Sequence, residues 1–284
     1  MKATTTRLFF IAAAALAVFT AAGDALADRA SAHYREGLAL ADQGRTDEAI
    51  AAFESAVAER DTHGMAWAQL GHLYAAKRDF DQAVNAYERA AELADDNPQI
   101  WANLGMTYYR AGRTGDALRA LVRACRLDPQ NAQLHGNLGA IRRQRGDIDQ
   151  AIRHLRYAVR LAPEESHHAN NLGIAYRVAG RMDDARRSFE RAIEVDPNVA
   201  QYHFNLGVVY RRDEYVDEAI AAYDRALRLD PSMAEAWYDI GHMHRLNHDN
   251  DSAIEAFRKY LQLTDDPEAR ARVQEDIEAL EQQP

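Results

Sequence analysis

A glycine recurs every 34 residues along most of this 284-residue chain. The recurring glycines are Gly37, Gly71, Gly105, Gly139, Gly173, Gly207 and Gly241. Counting from seven residues before each glycine divides the chain into seven repeats, at 30–63, 64–97, 98–131, 132–165, 166–199, 200–233 and 234–267. A fixed period of this length indicates small structural units that bury their apolar faces by stacking on their neighbours.

Apolar residues occupy equivalent positions from one repeat to the next. Counted within a repeat, positions 4, 7, 8 and 11 form one stripe at helical spacing, and positions 20, 24, 27 and 28 form a second stripe. Position 20 is alanine throughout, and all three tryptophans, Trp67, Trp101 and Trp237, stand at position 4. Each repeat is therefore predicted to be two helices that approach closely where positions 8 and 20 are small.

Helix boundary signals accompany both ends of the second stripe. Aspartates precede most of these stripes and are predicted to satisfy backbone N–H groups at the start of the second helix: Asp47, Asp81, Asp149, Asp183 and Asp217. Proline at position 32 of the four middle repeats ends that helix, at Pro129, Pro163, Pro197 and Pro231.

Taken together, these residues reproduce the W-x2-L-G-x2-Y, A-x3-F and P pattern that the tetratricopeptide repeat family carries at a period of 34 residues. The chain resembles that family from residue 30 to 267. The resemblance implies an all-α protein, a right-handed α-solenoid of seven helix-turn-helix repeats. Residues 268–284 are predicted to form a capping helix, with Ala269, Val273, Ile277 and Leu280 on its apolar face.

In such solenoids the first helices line the concave surface, and position 6 points into it. That position holds an asparagine row of Asn103, Asn137, Asn171 and Asn205, preceded by Gln69 and followed by Asp239. An amide both donates and accepts hydrogen bonds, so the row is predicted to hold the backbone of an extended peptide. The row is similar to the asparagine ladder in the repeat superhelix of O-linked N-acetylglucosamine transferases. The alternative is that these asparagines serve helix packing.

Position 12 adds an arginine row of Arg143, Arg177, Arg211 and Arg245. Guanidinium groups stacked along one face repel each other, so they require either carboxylate partners in the same chain or an acidic ligand. Both interpretations remain open on the sequence.

Nothing in the sequence indicates catalysis, a cofactor or a metal. It contains no glycine-rich phosphate loop and no nucleophile elbow. Cys125 stands at apolar position 28 and is predicted to be a core residue. His242, His244 and His248 could be considered as zinc ligands, but His244 stands where other repeats place a packing tyrosine and His248 falls in a turn.

The amino-terminal residues predict export. Lys2 and Arg7 precede an apolar stretch at 8–23, and Ala25-Leu26-Ala27 follows as a small-residue cleavage site, which makes residues 1–27 a candidate signal peptide. An inner-membrane anchor through residues 8–23 is the alternative. The formal charge of −10 disfavours nucleic-acid binding, and a single cysteine rules out an intramolecular disulfide.

These expectations combine into one functional hypothesis. The chain is predicted to be a non-enzymatic protein–protein interaction scaffold of the bacterial periplasm or envelope, which holds an extended and possibly acidic peptide. Two other classes are an accessory subunit that delivers substrate to a separate enzyme, and a structural solenoid that self-assembles.

Overall fold

The computed structural model describes residues 27–282, and the regular structure of that part of the chain is α-helical. Its helices are α1 (27–42), α2 (Thr46–Glu59), α3 (Gly64–Ala76), α4 (Phe80–Leu93), α5 (Pro98–Arg110), α6 (Thr114–Leu127), α7 (Ala132–Arg145), α8 (Ile148–Leu161), α9 (Ser166–Val178), α10 (Met182–Val195), α11 (Ala200–Arg212), α12 (Val216–Leu229), α13 (Ala234–Leu246), α14 (Asn250–Leu263) and α15 (Pro267–Glu281). No helix within residues 27–282 is long and apolar enough to cross a membrane. The candidate signal peptide, apart from Ala27, lies outside the described residues.

The helices pair as the repeat period predicts. The chain forms two compact units, which divide between Gln130 and Asn131. In the first unit α3 packs on α4 and α5 on α6; in the second the pairs are α7–α8, α9–α10, α11–α12 and α13–α14. Inside each unit the second helix of a pair also contacts the first helix of the next pair. The predicted all-α fold of helix-turn-helix repeats followed by a capping helix is confirmed.

The recurring glycine permits the close approach of the two helices. A Cβ atom added to Gly71 would lie 2.7 Å from the ring of Tyr87, and one added to Gly173 would lie 2.6 Å from the ring of Phe189. The alanines at position 20 face the same contact and have no exposed surface, for example Ala151 and Ala185. Close packing therefore requires glycine at these positions, because a side chain there would displace the ring of Tyr87 or Phe189.

The last helix covers the apolar end of the final repeat. Asp266 accepts hydrogen bonds from the backbone N–H groups of Glu268 and Ala269, at 3.0 and 3.3 Å, and starts α15. The buried face of α15, formed by Ala269, Val273, Ile277 and Leu280, is the one that the sequence predicts. Three of those side chains, Val273, Ile277 and Leu280, form a cluster with Ala253 and Phe257 of α14.

The aspartates at the second helices act differently from the prediction. They lie in the first turn, one residue after the helix start, as Asp47 does in α2 and Asp183 in α10. Among the second helices of the described repeats, a side chain caps the backbone only at Asp79 and Asp249. The first-turn aspartates therefore act through the positive end of the helix dipole rather than through a capping hydrogen bond.

The turn between the two helices of each repeat contains one residue with a positive φ, at position 15. Four repeats place glycine there, at Gly44, Gly112, Gly146 and Gly180. The other three place Arg78, Glu214 and His248, with φ between 60° and 64°. A side chain with a Cβ is strained in this left-handed conformation, so these three turns are less stable than the others.

Candidate peptide-binding surface

The first helices carry the asparagine row in both compact units. Asn103 lies on α5 of the first unit, whereas Asn137, Asn171 and Asn205 lie on α7, α9 and α11 of the second. In the second unit α9 contacts both α7 and α11. The three asparagines of the second unit therefore stand on adjacent helices, as the repeat register predicts.

Neighbouring glutamines hold two members of the row. Gln99 donates to the side-chain oxygen of Asn103 at 2.9 Å, and Gln133 donates to that of Asn137 at 2.8 Å. Both asparagines are half-buried, and each glutamine stands one helical turn before its asparagine. These contacts fix the rotamer of the amide and leave its N–H groups directed elsewhere.

Asn205 is committed to the fold. Its side chain is 5% exposed, its amide nitrogen donates to Asn170 at 2.8 Å, and its oxygen accepts from Gln201 at 3.2 Å. Asn171 differs, because it is half-buried and makes no side-chain hydrogen bond to any residue between 27 and 282. Of these two neighbours in the row, Asn171 is the one free to bind a ligand.

The tyrosine at position 24 explains part of the row. Tyr223 donates from its hydroxyl to Asp239 at 3.1 Å, and Asp239 stands at position 6 of the following repeat. Tyr87 and Asn103 occupy the same two positions, but here the Asn103 amide donates to the Tyr87 hydroxyl; burial raises the pKa of Tyr87 to about 12, and this hydrogen bond opposes that shift. Where position 24 is Phe189, no hydroxyl is available, and Asn205 pairs with Asn170 instead. The sequence left helix packing open as the alternative for this row, and the signal that identifies its packed members is the Tyr or Phe found one helix earlier.

Two members of the arginine row have carboxylate partners within the chain. Arg211 bonds to Asp239 at 2.7 Å, and Arg245 bonds to Asp276 of the capping helix at 2.9 Å. Burial raises the pKa of Asp239, and the positive charge of Arg211 opposes that rise. For these two arginines the structure favours the interpretation of internal pairing.

The other two arginines lie on α7 and α9. Arg143 is half-buried and has interactions of its own with the protein. Arg177 is half-buried, its Nε atom is buried without a hydrogen-bond partner, and no carboxylate of the described residues lies within 4.0 Å of its guanidinium. Position 6 of the next repeat explains the difference from Arg211, because it holds the neutral Asn205 instead of an aspartate.

Asn171 and Arg177 lie on the same helix, α9, six residues apart. At about 1.5 Å per residue their Cα atoms are separated by about 9 Å along the helix axis. An amide at one end and a guanidinium at the other can bind a peptide group and an acidic side chain of one extended segment.

The histidines and the cysteine behave as packing or turn residues. His242 packs edge-on against Phe257, His244 lies 3.6 Å from Asp249, and His248 occupies a turn. No group of three or more His, Cys, Asp or Glu side chains in residues 27–282 is arranged to hold a metal ion. Burial raises the pKa of the Cys125 thiol to about 11, so it is protonated and unreactive at neutral pH.

Two family models match the sequence. The model described as the cilia and flagella-associated protein 70 C-terminal domain matches residues 11–235, and a tetratricopeptide repeat model matches residues 210–269. No curated protein matches the chain. The resemblance to tetratricopeptide repeats is confirmed, while the similarity of the asparagine row to the transferase ladder stays a prediction.

Several solved structures share the fold. MamA is 26% identical over 61% of this chain and 94% of its own, with a TM-score of 0.56. PilF of Pseudomonas aeruginosa is 20% identical over 76% of this chain and 99% of its own, with a TM-score of 0.65. YrrB, described as a tetratricopeptide repeat protein with an unusual peptide-binding site, is 20% identical over 68% of this chain and 100% of its own, with a TM-score of 0.57.

Proposed function

Because the chain belongs to the family of the cilia and flagella-associated protein 70 C-terminal domain and carries tetratricopeptide repeats, we propose that it is a non-enzymatic scaffold for a partner protein. The occupant is an extended segment with acidic side chains, which lies across the first helices of the second unit. Proteins with these repeats bind other proteins, and YrrB, which shares the fold, is described as having a peptide-binding site.

The availability of two neighbouring groups on α9 carries the proposal. In the two following repeats the arginine of the row is paired with Asp239 or Asp276. On α9, by contrast, Arg177 has no carboxylate partner among the described residues, and the Asn171 side chain has no hydrogen bond to them. A half-buried guanidinium without a counter-charge is stabilised by an acidic ligand, which supplies the missing partner.

The peptide would use the two kinds of group differently. Asn171, together with Asn137, pairs with backbone amides and does not discriminate between sequences. Arg177, with Arg143, selects carboxylates. Asn205, Arg211 and Arg245 lie at the edge of this surface. Their side chains are already paired within the protein.

The test uses peptides selected from a random library on the full-length chain and then titrated by calorimetry. Asn171→Ala removes hydrogen bonds of about 0.5–1.5 kcal/mol each and is expected to weaken every selected peptide alike. Arg177→Ala is expected to weaken acidic peptides selectively and to reduce the salt dependence of binding.

Arg228→Ala is the matched control, because Arg228 is exposed on the second helix α12 and makes the same charge change away from the surface. If the Asn171→Ala, Arg177→Ala double variant keeps parental affinity, the surface formed by the first helices of the second unit (the first-helix surface) is not the binding site. Equal weakening by Arg228→Ala would show that net charge, not the site, governs binding.

Two other functions have distinct signatures. An accessory subunit would co-purify with an enzyme in a fixed ratio, and a self-assembling solenoid would show light scattering that rises with protein concentration. We propose the cell envelope as the setting on the sequence of residues 1–27 alone; the family description names cilia and flagella instead.

A further inference from the structure

A groove lined by four arginines lies on the second unit, against the second helices of two successive repeats. It runs between α8 and α10, has a volume of about 380 Å³, and is floored by Val159, Ala169 and Leu172. Arg156 and Arg160 of α8 form one wall, and Arg187 and Arg191 of α10 form the other. No member of the asparagine or arginine row lines it, so it is independent of the proposed function.

The repeat provides an internal reference for this groove. Every residue that lines it has its equivalent two repeats earlier, 68 positions before, around two separate pockets of about 350 and 430 Å³. Trp101 lines both of these pockets and stands between them. At the equivalent position the later repeat has Ala169, and a single groove replaces the two pockets.

Ala169 is the exception at position 4. The other repeats place an aromatic ring there, at His33, Trp67, Trp101, His135, His203 and Trp237. The ring nitrogen bonds to the backbone oxygen six residues earlier, at 2.8 to 2.9 Å, in Trp67, Trp101, His203 and Trp237. The groove therefore lacks the ring that this position supplies in the other repeats.

The oxygen that would accept from such a ring is present. It is the carbonyl oxygen of Pro163, which accepts from Arg191 at 3.3 Å. The equivalent oxygen of Asp95 accepts from Arg123 at 3.3 Å and from the Trp101 indole at 2.9 Å together. Pro163 can thus accept a second bond from an indole N–H without losing Arg191.

The charge of the walls is also reversed. Around Trp101 the carboxylates outnumber the guanidinium groups, since Glu88, Glu92, Asp95 and Asp116 line the pockets together with Arg119 and Arg123. In the later groove the positions of Glu88 and Glu92 hold Arg156 and Arg160, and Asp184 is the one carboxylate in its lining. Arg187 pairs with Asp184 at 2.6 Å and Arg191 with Glu194 at 3.1 Å, whereas Arg156 and Arg160 have no carboxylate partner in residues 27–282.

A tyrosine hydroxyl adds a donor. Tyr74 and Tyr210 donate from position 11 to a glutamate of the preceding repeat, at 2.6 and 3.4 Å, and Tyr108 does the same to Glu88. Tyr176 faces Arg156 where that glutamate would stand, and its hydroxyl makes no hydrogen bond to the part of the chain described. The groove presents unmatched positive charge and a donor around an apolar floor.

We propose that this groove binds a tryptophan side chain of a partner protein, with acidic residues on both sides of it. The indole takes the place that Trp101 occupies two repeats earlier and donates to the Pro163 carbonyl oxygen. The flanking carboxylates pair with Arg156, Arg160 and the Tyr176 hydroxyl. The volume is at the small end of ligand sites, which suits one inserted side chain rather than a whole cofactor.

The probe is a fluorescein-labelled synthetic peptide with one tryptophan between two pairs of glutamates, measured by anisotropy with the full-length chain. Replacing the tryptophan of the peptide by alanine, or its glutamates by glutamine, is expected to weaken binding about tenfold or more. Equal binding of either altered peptide overturns the proposal. Displacement by inorganic phosphate, but not by sodium chloride at the same ionic strength, would also overturn it by showing a general anion site.

Variants of the protein show where on its surface the labelled peptide binds. Arg156→Glu with Arg160→Glu restores the charges found around Trp101 and is expected to reduce affinity about tenfold or more. Arg153→Glu is the control, since Arg153 is exposed on the same helix and does not line the groove. The proposal fails if the two changes act alike.

The second protein variant fills the groove with a side chain. Ala169→Trp restores the aromatic residue of the repeat and should abolish binding, although Tyr202 packs against Ala169 and helical content must be checked by circular dichroism. If this variant does not fold, the Arg156→Glu, Arg160→Glu pair remains decisive. The Asn171→Ala, Arg177→Ala variant should bind the probe normally, which separates this groove from the first-helix surface.

Discussion

Three turns store backbone strain in single residues. Arg78, Glu214 and His248 adopt a positive φ that four other repeats assign to glycine. The left-handed conformation costs a residue with a Cβ about 1–2 kcal/mol, part of which glycine loses again through the greater freedom of its unfolded chain.

Glu214→Gly is therefore expected to stabilise the protein by about 0.5–1 kcal/mol. Urea unfolding followed by circular dichroism measures the change. Gly180→Glu is the reverse substitution and is expected to destabilise the protein. Nothing lies within 4 Å of a Cβ added there, so only the positive φ opposes the side chain. Destabilisation by Glu214→Gly would contradict the assigned turn conformation.

A buried histidine makes stability depend on pH. His168 is 2% exposed, its Nδ1 has no hydrogen-bond partner, and burial together with the charge of His167 lowers its pKa to about 4. The unfolded chain binds the proton with a pKa of about 6.5, so protonation favours unfolding between these values. The melting temperature is expected to be highest above about pH 6.5 and to fall as the pH approaches 4.

His168→Phe should make that dependence shallower, since it removes the titrating group and keeps a ring in place. The melting temperature of parent and variant across this pH range tests it. His72→Phe makes the same change at an exposed site and should leave the slope unaltered. An unchanged slope in His168→Phe would assign the effect to other titrating groups, such as His154, whose pKa burial also lowers to about 4.

At the scale of the helix, the distance within a pair depends on position 20. Ala185 has no exposed surface and lies in the cluster that contains Phe189, opposite Gly173. Ala185→Leu adds volume to a filled contact and is expected to destabilise the protein by about 1–3 kcal/mol. Ala221→Leu, on the exposed side of α12, controls for helix propensity. Equal stability of the two variants in urea would contradict the repeat register.

The helix pairs were predictable because their signals repeat. One glycine or alanine is weak evidence, but Gly71, Gly173 and their equivalents meet the buried side chain of position 24, a ring or a leucine, in every repeat. The binding surface was less predictable, because partners come from the next helix: Asn205 is satisfied by Asn170, whereas Asn171 is free. The groove at Ala169 has a sequence signal, alanine where other repeats have a ring, but only the structure shows that arginines surround it.

At the scale of the whole molecule, residues 1–27 predict export of the protein. Cleavage after Ala27 predicts a mature protein that begins at Asp28. Intact-mass measurement of the protein expressed in a bacterial host with its own amino terminus tests this. Recovery of residues 1–27 in a membrane fraction would support the anchor, and recovery of them in soluble protein would contradict both forms of export.

Stacking of each helix on its neighbours in sequence has a kinetic consequence. Within each unit the helices that touch are consecutive or next but one along the chain, so every contact closes a short loop. Local topology of this kind lowers the entropic barrier to folding, and structure can begin in any repeat and spread to the next. The earlier unit then holds all it needs to form its contacts while the later one is still being synthesised.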